Sequence, residues 1–263
     1  METVHTRHAR IAKNGILPVT TPVNVILISS PKSNGQKKQE GKKGRRFFSM
    51  LQRKQIDNHD DWINARKTQG IGASSAAAIV GLSPFQSSTD LWRELTGQAE
   101  PKDLSDSEVV KRGHELEPIL RNMFEVLHPE YRLEYHEFDL LYRTYRPWAF
   151  CTLDGELTEI ETGRRGLIEI KTASLSNKAA WAKWDGRIPD NYLVQCLWQL
   201  ECSGFEFAIL YGALFSLNGS ITIREYLIEK KEYEQDIEWL MGEAEKFWQH
   251  VQDRTLPPVK ITL

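Results

Sequence analysis

Long apolar runs are missing from this chain: no stretch approaches the ~20 residues a membrane-crossing helix needs, so a soluble protein without membrane contacts is expected. Cysteine is scarce. Cys151, Cys196 and Cys202 lack CxxC spacing, which excludes a disulfide framework, a zinc site of the usual kind and a cysteine-held iron-sulfur cluster. They read as packing residues in a reducing compartment. The opening METVHTRHARIAKNG carries basic residues with no clean apolar segment and small-residue cleavage site after them, so a secretory signal is not expected. Internal repeats are absent. Positive charge is lacking too, but only past Lys54: residues 1–54 hold twelve Lys or Arg against Glu2 and Glu40, while the whole chain has a net charge of −2. The basic extension is therefore joined to an acidic remainder.

At 263 residues the chain has room for one substantial domain. The expected division is residues 1–54 as a basic, disordered extension and 55–263 as the folded domain. Ser29 to Arg46, SSPKSNGQKKQEGKKGRR, has no apolar period and too little apolar surface to offset ordering entropy. It reads either as a nucleic-acid-binding arm or as a solvated linker. Beyond it, helices are predicted at residues 74–80, 89–95 with Ser87 or Ser88 as cap, and 109–127. Leu116, Ile119, Leu120, Met123, Phe124 and Leu127 repeat along one face of that third helix. Strands are predicted at 132–143, 148–158, 166–172, 207–214 and 221–228, with further helices at 177–183, 191–202 and 237–251. The fold class is α/β, a central mixed sheet flanked by helices.

The chemistry concentrates in Cys151-Thr-Leu-Asp154-Gly and, fifteen residues on, Glu169-Ile-Lys171-Thr, with the turn Thr162-Gly-Arg-Arg-Gly166 between them. A hairpin about that turn sets Asp154 opposite Glu169. Side chains two apart share a strand face, so Lys171 joins Glu169 while Ile168 and Ile170 enter the apolar layer. Hard oxygen ligands of this kind suit Mg²⁺, with Mn²⁺ as a substitute. Phosphodiester hydrolysis needs an activated water and compensation for negative charge, and bound divalent ions supply both. An exposed hairpin with an ordinary cross-strand ion pair would show the same residues. Glu117, on the shoulder of the 109–127 helix, can reach a neighbouring metal site. Gln195 and Gln199 lie four apart on one helix face, where Gln195 can hold a phosphate or a water. Ser74, where a Gly-containing loop meets a helix start, and Arg66 together make a candidate anion pocket. Lys178, Trp181, Lys183, Trp184 and Arg187 mix cations with aromatics just past the Glu169 strand, suiting either DNA or the core.

These residues resemble the lambda exonuclease and YqaJ-like viral recombinase nucleases, within the restriction-endonuclease-like PD-(D/E)xK fold. The resemblance runs from about Trp62 to Leu214. It rests on Arg66…Gly70-Ile-Gly-Ala-Ser74 and on to Pro84, Arg112-Gly…Glu117-Pro, Thr152-Leu-Asp154-Gly, Leu167-Ile-Glu169-Ile-Lys171-Thr, and Tyr192…Gln195. It implies a nuclease that degrades one strand of duplex DNA from its 5′ end, leaving 3′ single strands for phage-type recombination. It also implies a single-strand annealing protein as partner, a ring-shaped trimer, and the cytoplasm of a bacterium or phage-infected host. By the same resemblance Asp154, Glu169, the Ile170 carbonyl and Glu117 are metal ligands, Lys171 activates water with Gln195 beside it, and Arg66, Ser74 and Thr152 hold the terminal 5′-phosphate. Thr152 stands where many members have serine. The alternatives on the same core are a restriction-like or structure-selective endonuclease, and an inactive DNA-end-binding protein.

Overall fold

The computed structural model describes residues 51–104 and 106–258, so the expectation of disorder for the basic extension lies, up to residue 50, outside the described residues. Residues 51–54 correct the expected boundary. They belong to strand β1 (Leu51–Gln55), whose Arg53 bonds Asp139 at 2.6 Å and also contacts Glu156, both buried. A basic residue inside a basic run reads as tail until its carboxylate partners, about a hundred residues away, are known.

Helix α1 (His59–Gln69) follows, capped by the Asn58 side chain, which accepts from the Asp61 amide at 3.0 Å. Gly70 ends it at φ 138°, where a Cβ would lie 2.3 Å from the Trp148 carbonyl oxygen, so only glycine fits. Next come β2 (Ile71–Gly72), a 3₁₀ turn at Ala73–Ser75, and α2 (Ala76–Ile79), shorter than the predicted 74–80 helix. Helix α3 (Ser88–Leu95) starts from a capping box between Ser87 and Asp90, and α4 (Glu108–Leu127) follows. Then come β3 (Tyr131–Glu134), β4 (Asp139–Arg143), β5 (Arg146–Cys151), β6 (Gly155–Glu159) and β7 (Arg165–Leu175). The chain finishes with α5 (Lys178–Ala182), α6 (Asp190–Ser203), β8 (Phe207–Ser216), β9 (Ile221–Glu229) and α7 (Glu234–Gln252).

Two mixed sheets result, one ordered β3-β6-β7-β8-β9 and the other β1-β4-β5-β2. In the larger sheet β7 pairs antiparallel with β6 and parallel with β8. Two predicted strands are thereby corrected. The 132–143 run divides into β3 and β4, and the 148–158 run into β5 and β6, with each half in a different sheet. Across the second break apolar residues stay on odd positions (Ala149, Cys151, Leu153, Leu157), so the pattern gives no sign of the switch; across the first they pass from odd (Leu133, Tyr135) to even (Phe138, Leu140), with His136 and Glu137 between. The first break holds Phe138 at φ 57°; the second is the three-residue link Thr152–Leu153–Asp154.

The sheet faces sort the core. Ile168 and Ile170 pack with Leu120 and Phe124 of α4, whereas Leu167 joins the cluster containing α6 and α7 residues such as Leu197, Trp198 and Leu240. On α4, Ile119 and Leu127 are exposed, correcting their assignment to the buried face. Cys151, Cys196 and Cys202 are buried free thiols. Among the described residues no helix is long and apolar enough to cross a membrane.

Candidate active site

The pairing Gly155↔Ile168 fixes the register of β6 against β7, and one further step sets Asp154 opposite Glu169, as the hairpin reading expected. Asp154 lies just before β6 begins, where its carboxylate faces the free edge of β7. Its Oδ2 accepts from the Ile170 amide at 2.7 Å. In an extended strand the N–H and C=O of one residue project to the same edge, so the Ile170 carbonyl also emerges on the Asp154 side.

Glu169 is 2% exposed and is held by three side chains. Its Oε1 accepts from Gln195 Nε2 at 2.5 Å and meets the Lys171 ammonium; its Oε2 accepts from Gln199 Nε2 at 2.5 Å. The two glutamines extend from one face of α6, one helical turn apart. Lys171 Nζ sits 5.4 Å from the centre of the Tyr192 ring, also on α6. Burial opposes the Lys171 ammonium, but the facing Glu169 and Asp154 carboxylates outweigh it and raise the pKa.

Burial likewise drives the Asp154 carboxyl well above the usual carboxylate range, and the charges of Glu169 and Glu117 push it further. Glu117 reaches the site from α4, its pKa raised by burial and by Glu169 against the pull of Arg121. Arg121, one turn on, ties this carboxylate in place: Nη2 donates to Glu117 at 2.6 Å and Nε to the Asp154 carbonyl at 2.7 Å, with the guanidinium 3.6 Å from the Tyr135 ring centre. Sequence reading passed over Arg121, although its i,i+4 spacing from Glu117 was a visible signal.

Among the described residues no three His, Cys, Asp or Glu side chains form a ready-made metal cage. The donors that do meet are two carboxylates, the Ile170 carbonyl edge and, nearby, Glu117. This set fits a hard cation that keeps part of its hydration, and crowded buried carboxylates with raised proton affinity are what a divalent charge relieves. Gln199 Oε1, buried against Glu169, makes no hydrogen bond within the protein.

A cavity of about 510 Å³ opens beside this cluster, lined by Trp62, Arg66, Glu117, Arg121, Thr152 and Asp154, together with His59, His114 and Phe138. Arg66 donates to Thr152 Oγ1 over a long 3.4 Å and stacks 4.5 Å from the Trp62 ring centre. Burial lowers its pKa while Asp154 and Glu169 oppose the shift. Ser74 is exposed, lies in the 3₁₀ turn that follows β2 and does not line the cavity, so it is not brought to the Arg66–Thr152 pair. Lys178, Lys183 and Arg187 are exposed and lie outside this cavity; Lys178 shares a separate depression of about 360 Å³ with Trp181 and Arg224. Trp184 is a core residue, 3% exposed and packed near Tyr192 and Tyr226, so its half of the cation–aromatic pattern serves the interior.

Residues 61–206 match the YqaJ-like viral recombinase domain. The uncharacterized protein YqaJ of Bacillus subtilis (strain 168) is 30% identical over 157 residues, covering 60% of this chain and 46% of the relative, so the chain spans about half the length of that curated relative. The crystal structure of an alkaline exonuclease (LHK-Exo) from Laribacter hongkongensis superposes with a TM-score of 0.53 at 16% identity, covering 74% of this chain and 95% of that one. LHK-Exo in complex with dAMP gives 0.52 at 18% identity, with the same coverage. At such identities the likeness is one of fold, and it places the two mixed sheets and their helices in the alkaline exonuclease, restriction-endonuclease-like class.

Proposed function

The chain belongs to the YqaJ-like viral recombinase family, and from that premise we propose that it is a divalent-metal-dependent deoxyribonuclease that digests one strand of linear duplex DNA from the 5′ end. The observation that carries the reading is the meeting of Asp154, Glu169 and Lys171 at the β6–β7 edge, with Gln195 clamping Glu169 and the Arg66–Thr152 pair beside Asp154 in one cavity. The fold shared with an alkaline exonuclease, one form of which holds dAMP, supports exonuclease over other chemistries.

Asp154, Glu169, the Ile170 carbonyl and Glu117 would hold Mg²⁺, or Mn²⁺ in its place. Once bound, the ion supplies charge compensation at the scissile phosphate and promotes ionisation of the attacking water. The chain's own groups do the rest. Lys171 orients the water and balances charge beside Glu169, Gln195 fixes the Glu169 carboxylate, and Arg121 keeps Glu117 and the Asp154 main chain together. Arg66, with Thr152, grips the terminal 5′-phosphate through charge-assisted bonds. Lys178, Lys183 and Arg187 contact the duplex backbone beyond the site, giving an acidic protein local positive charge for DNA. A ring-shaped trimer and a single-strand annealing protein complete the reading, with action in the cytoplasm of a bacterial or infected cell.

The test compares linear duplex carrying 5′-phosphate with the same duplex carrying 5′-hydroxyl, alongside a closed circle, in Mg²⁺ and in EDTA. Metal-dependent loss of the 5′-phosphorylated strand, slower loss of the hydroxyl form and an intact circle are expected. Cleavage of the circle would replace the exonuclease reading with an endonuclease on the same core.

A further inference from the structure

Gln199 has no assigned role in the nuclease chemistry, yet it is 0% exposed and bonds both Thr152 and Glu169, beside the bond by which Asp154 of the same link accepts from the Ile170 amide. Its Nε2 donates to Glu169 Oε2 at 2.5 Å and to the Thr152 carbonyl at 3.2 Å. Both partners can only accept, so the amide has one chemically permitted orientation, with an N–H for each and Oε1 turned away without a protein partner. On the far side of Thr152, its hydroxyl accepts from Arg66. Arg66, Thr152, Gln199 and Glu169 therefore form an unbroken chain from the candidate phosphate pocket to the buried carboxylate.

We propose that Gln199 is a positioning residue that couples occupancy of the 5′-phosphate pocket to the placement of Glu169. This rests on the nuclease reading above. Thr152 is suited to the part because it belongs to the three-residue link between β5 and β6, outside both ladders, and can shift without breaking a strand pair. The same link carries Asp154. The 3.4 Å Arg66–Thr152 contact is slack, and a phosphate arriving between them would draw the link toward itself. The Thr152 carbonyl would then move against Gln199, which sits on a helix whose neighbours Leu197, Trp198 and Leu200 are fully buried and cannot follow. Gln195 supplies the contrast: it holds Glu169 Oε1, and no bond joins it to Thr152.

The experiment measures kcat/KM on 5′-phosphorylated and 5′-hydroxyl linear duplex for the wild type, Gln199→Met and Gln195→Met. The ratio of the two values is taken within each preparation, which cancels the fraction of folded protein. Wild type is expected to prefer the phosphorylated end. Gln199→Met should lose about fivefold or more of that preference, a typical size for coupling between sites. Gln195→Met should slow both substrates alike and keep the preference within about twofold, as for an uncoupled site. A second, cutting-independent readout is fluorescence anisotropy in EDTA with the same duplexes, where Gln199→Met should lose tighter binding of the phosphorylated end although it does not touch the phosphate. The near-isosteric Gln199→Glu, run in parallel, carries the same prediction should the methionine variant fold poorly. If wild type shows the preference and Gln199→Met keeps it, or both glutamine variants lose it equally, the coupling is overturned while the nuclease reading stands. A wild type indifferent to the phosphate in both assays overturns the pocket and the coupling together.

Discussion

Lys171 and Asp154 show how one small cluster answers to two demands. Lys171→Ala removes the ammonium facing Glu169, and Asp154→Asn removes half the charge of the carboxylate pair. Either change is expected to lower Mg²⁺-dependent strand loss by about 10²–10⁴-fold, the usual scale for a group acting on the attacking water, with duplex binding retained in a gel-shift assay. Asp154→Asn should also melt higher than wild type in EDTA, because it relieves the crowding of Asp154 against Glu169 and Glu117; an unchanged or lower melting temperature would contradict that electrostatic account. His128 tests charge elsewhere. Its Nε2 lies 3.1 Å from Glu225 and its Nδ1 3.0 Å from Glu130, and its ring stacks on Phe124 at 4.4 Å. The Glu225 bond, aided by Glu130 and opposed by burial, raises its pKa. A histidine whose folded pKa exceeds its unfolded value contributes stability that is fully present below the unfolded pKa of ~6.5 and is lost as pH rises through the folded value. His128→Asn should therefore cost melting temperature in acid and much less in base. Equal cost at both ends of the range would assign the residue to packing alone.

At the scale of elements, the junction between the two sheets matters most. Arg53 on β1 contacts Asp139 on β4 and Glu156 on β6, and Glu156 also accepts from Arg165 at 2.6 Å. One side chain thus spans both sheets, next to the link that carries Thr152 and Asp154. Arg53→Met strands the buried Asp139 carboxylate and leaves Glu156 with Arg165 alone, at a cost of about 2 kcal/mol, below the roughly 3–5 kcal/mol of a fully buried pair because the guanidinium is 29% exposed. Urea melts should show that loss. Activity should fall further than the stability loss explains, since the link depends on both sheets. The pairing of Asp154 with Glu169 was legible in sequence because a hairpin about a marked turn has few registers. The sheet switch at Thr152–Asp154 was not, since apolar residues keep their alternation through that link; the other switch coincides with a change of apolar phase between Tyr135 and Phe138. Arg121 was missed because a basic residue on an amphipathic helix looks like an ordinary solvated side chain until its acceptor, the Asp154 carbonyl, is known.

Across the whole molecule, charge is divided between a basic extension and an acidic remainder. Phosphate contacts release counterions, so duplex binding should weaken steeply with salt, with a slope set by the number of contacts. Removing residues 1–50 should make the plot of log Kd against log salt shallower by several contacts if those cations reach the DNA. An unchanged slope would leave the cavity and the exposed Lys178, Lys183 and Arg187 as the sources of contact.

By itself the sequence determined the fold class, the position of most helices and the Asp154–Glu169–Lys171 cluster, because periodicity and strand alternation are local properties of the chain. Tertiary structure decided what local pattern cannot carry. It divided two apparent strands between sheets, moved Ile119 and Leu127 to other surroundings than their spacing suggested, settled Trp184 in the core, and brought β1 into the fold through Arg53. It also turned Gln199, half of a glutamine pair on a helix, into a buried bridge between Glu169 and Thr152. Each of these depends on which distant residue fills the space opposite, and that is fixed only when the sheets and helices have packed.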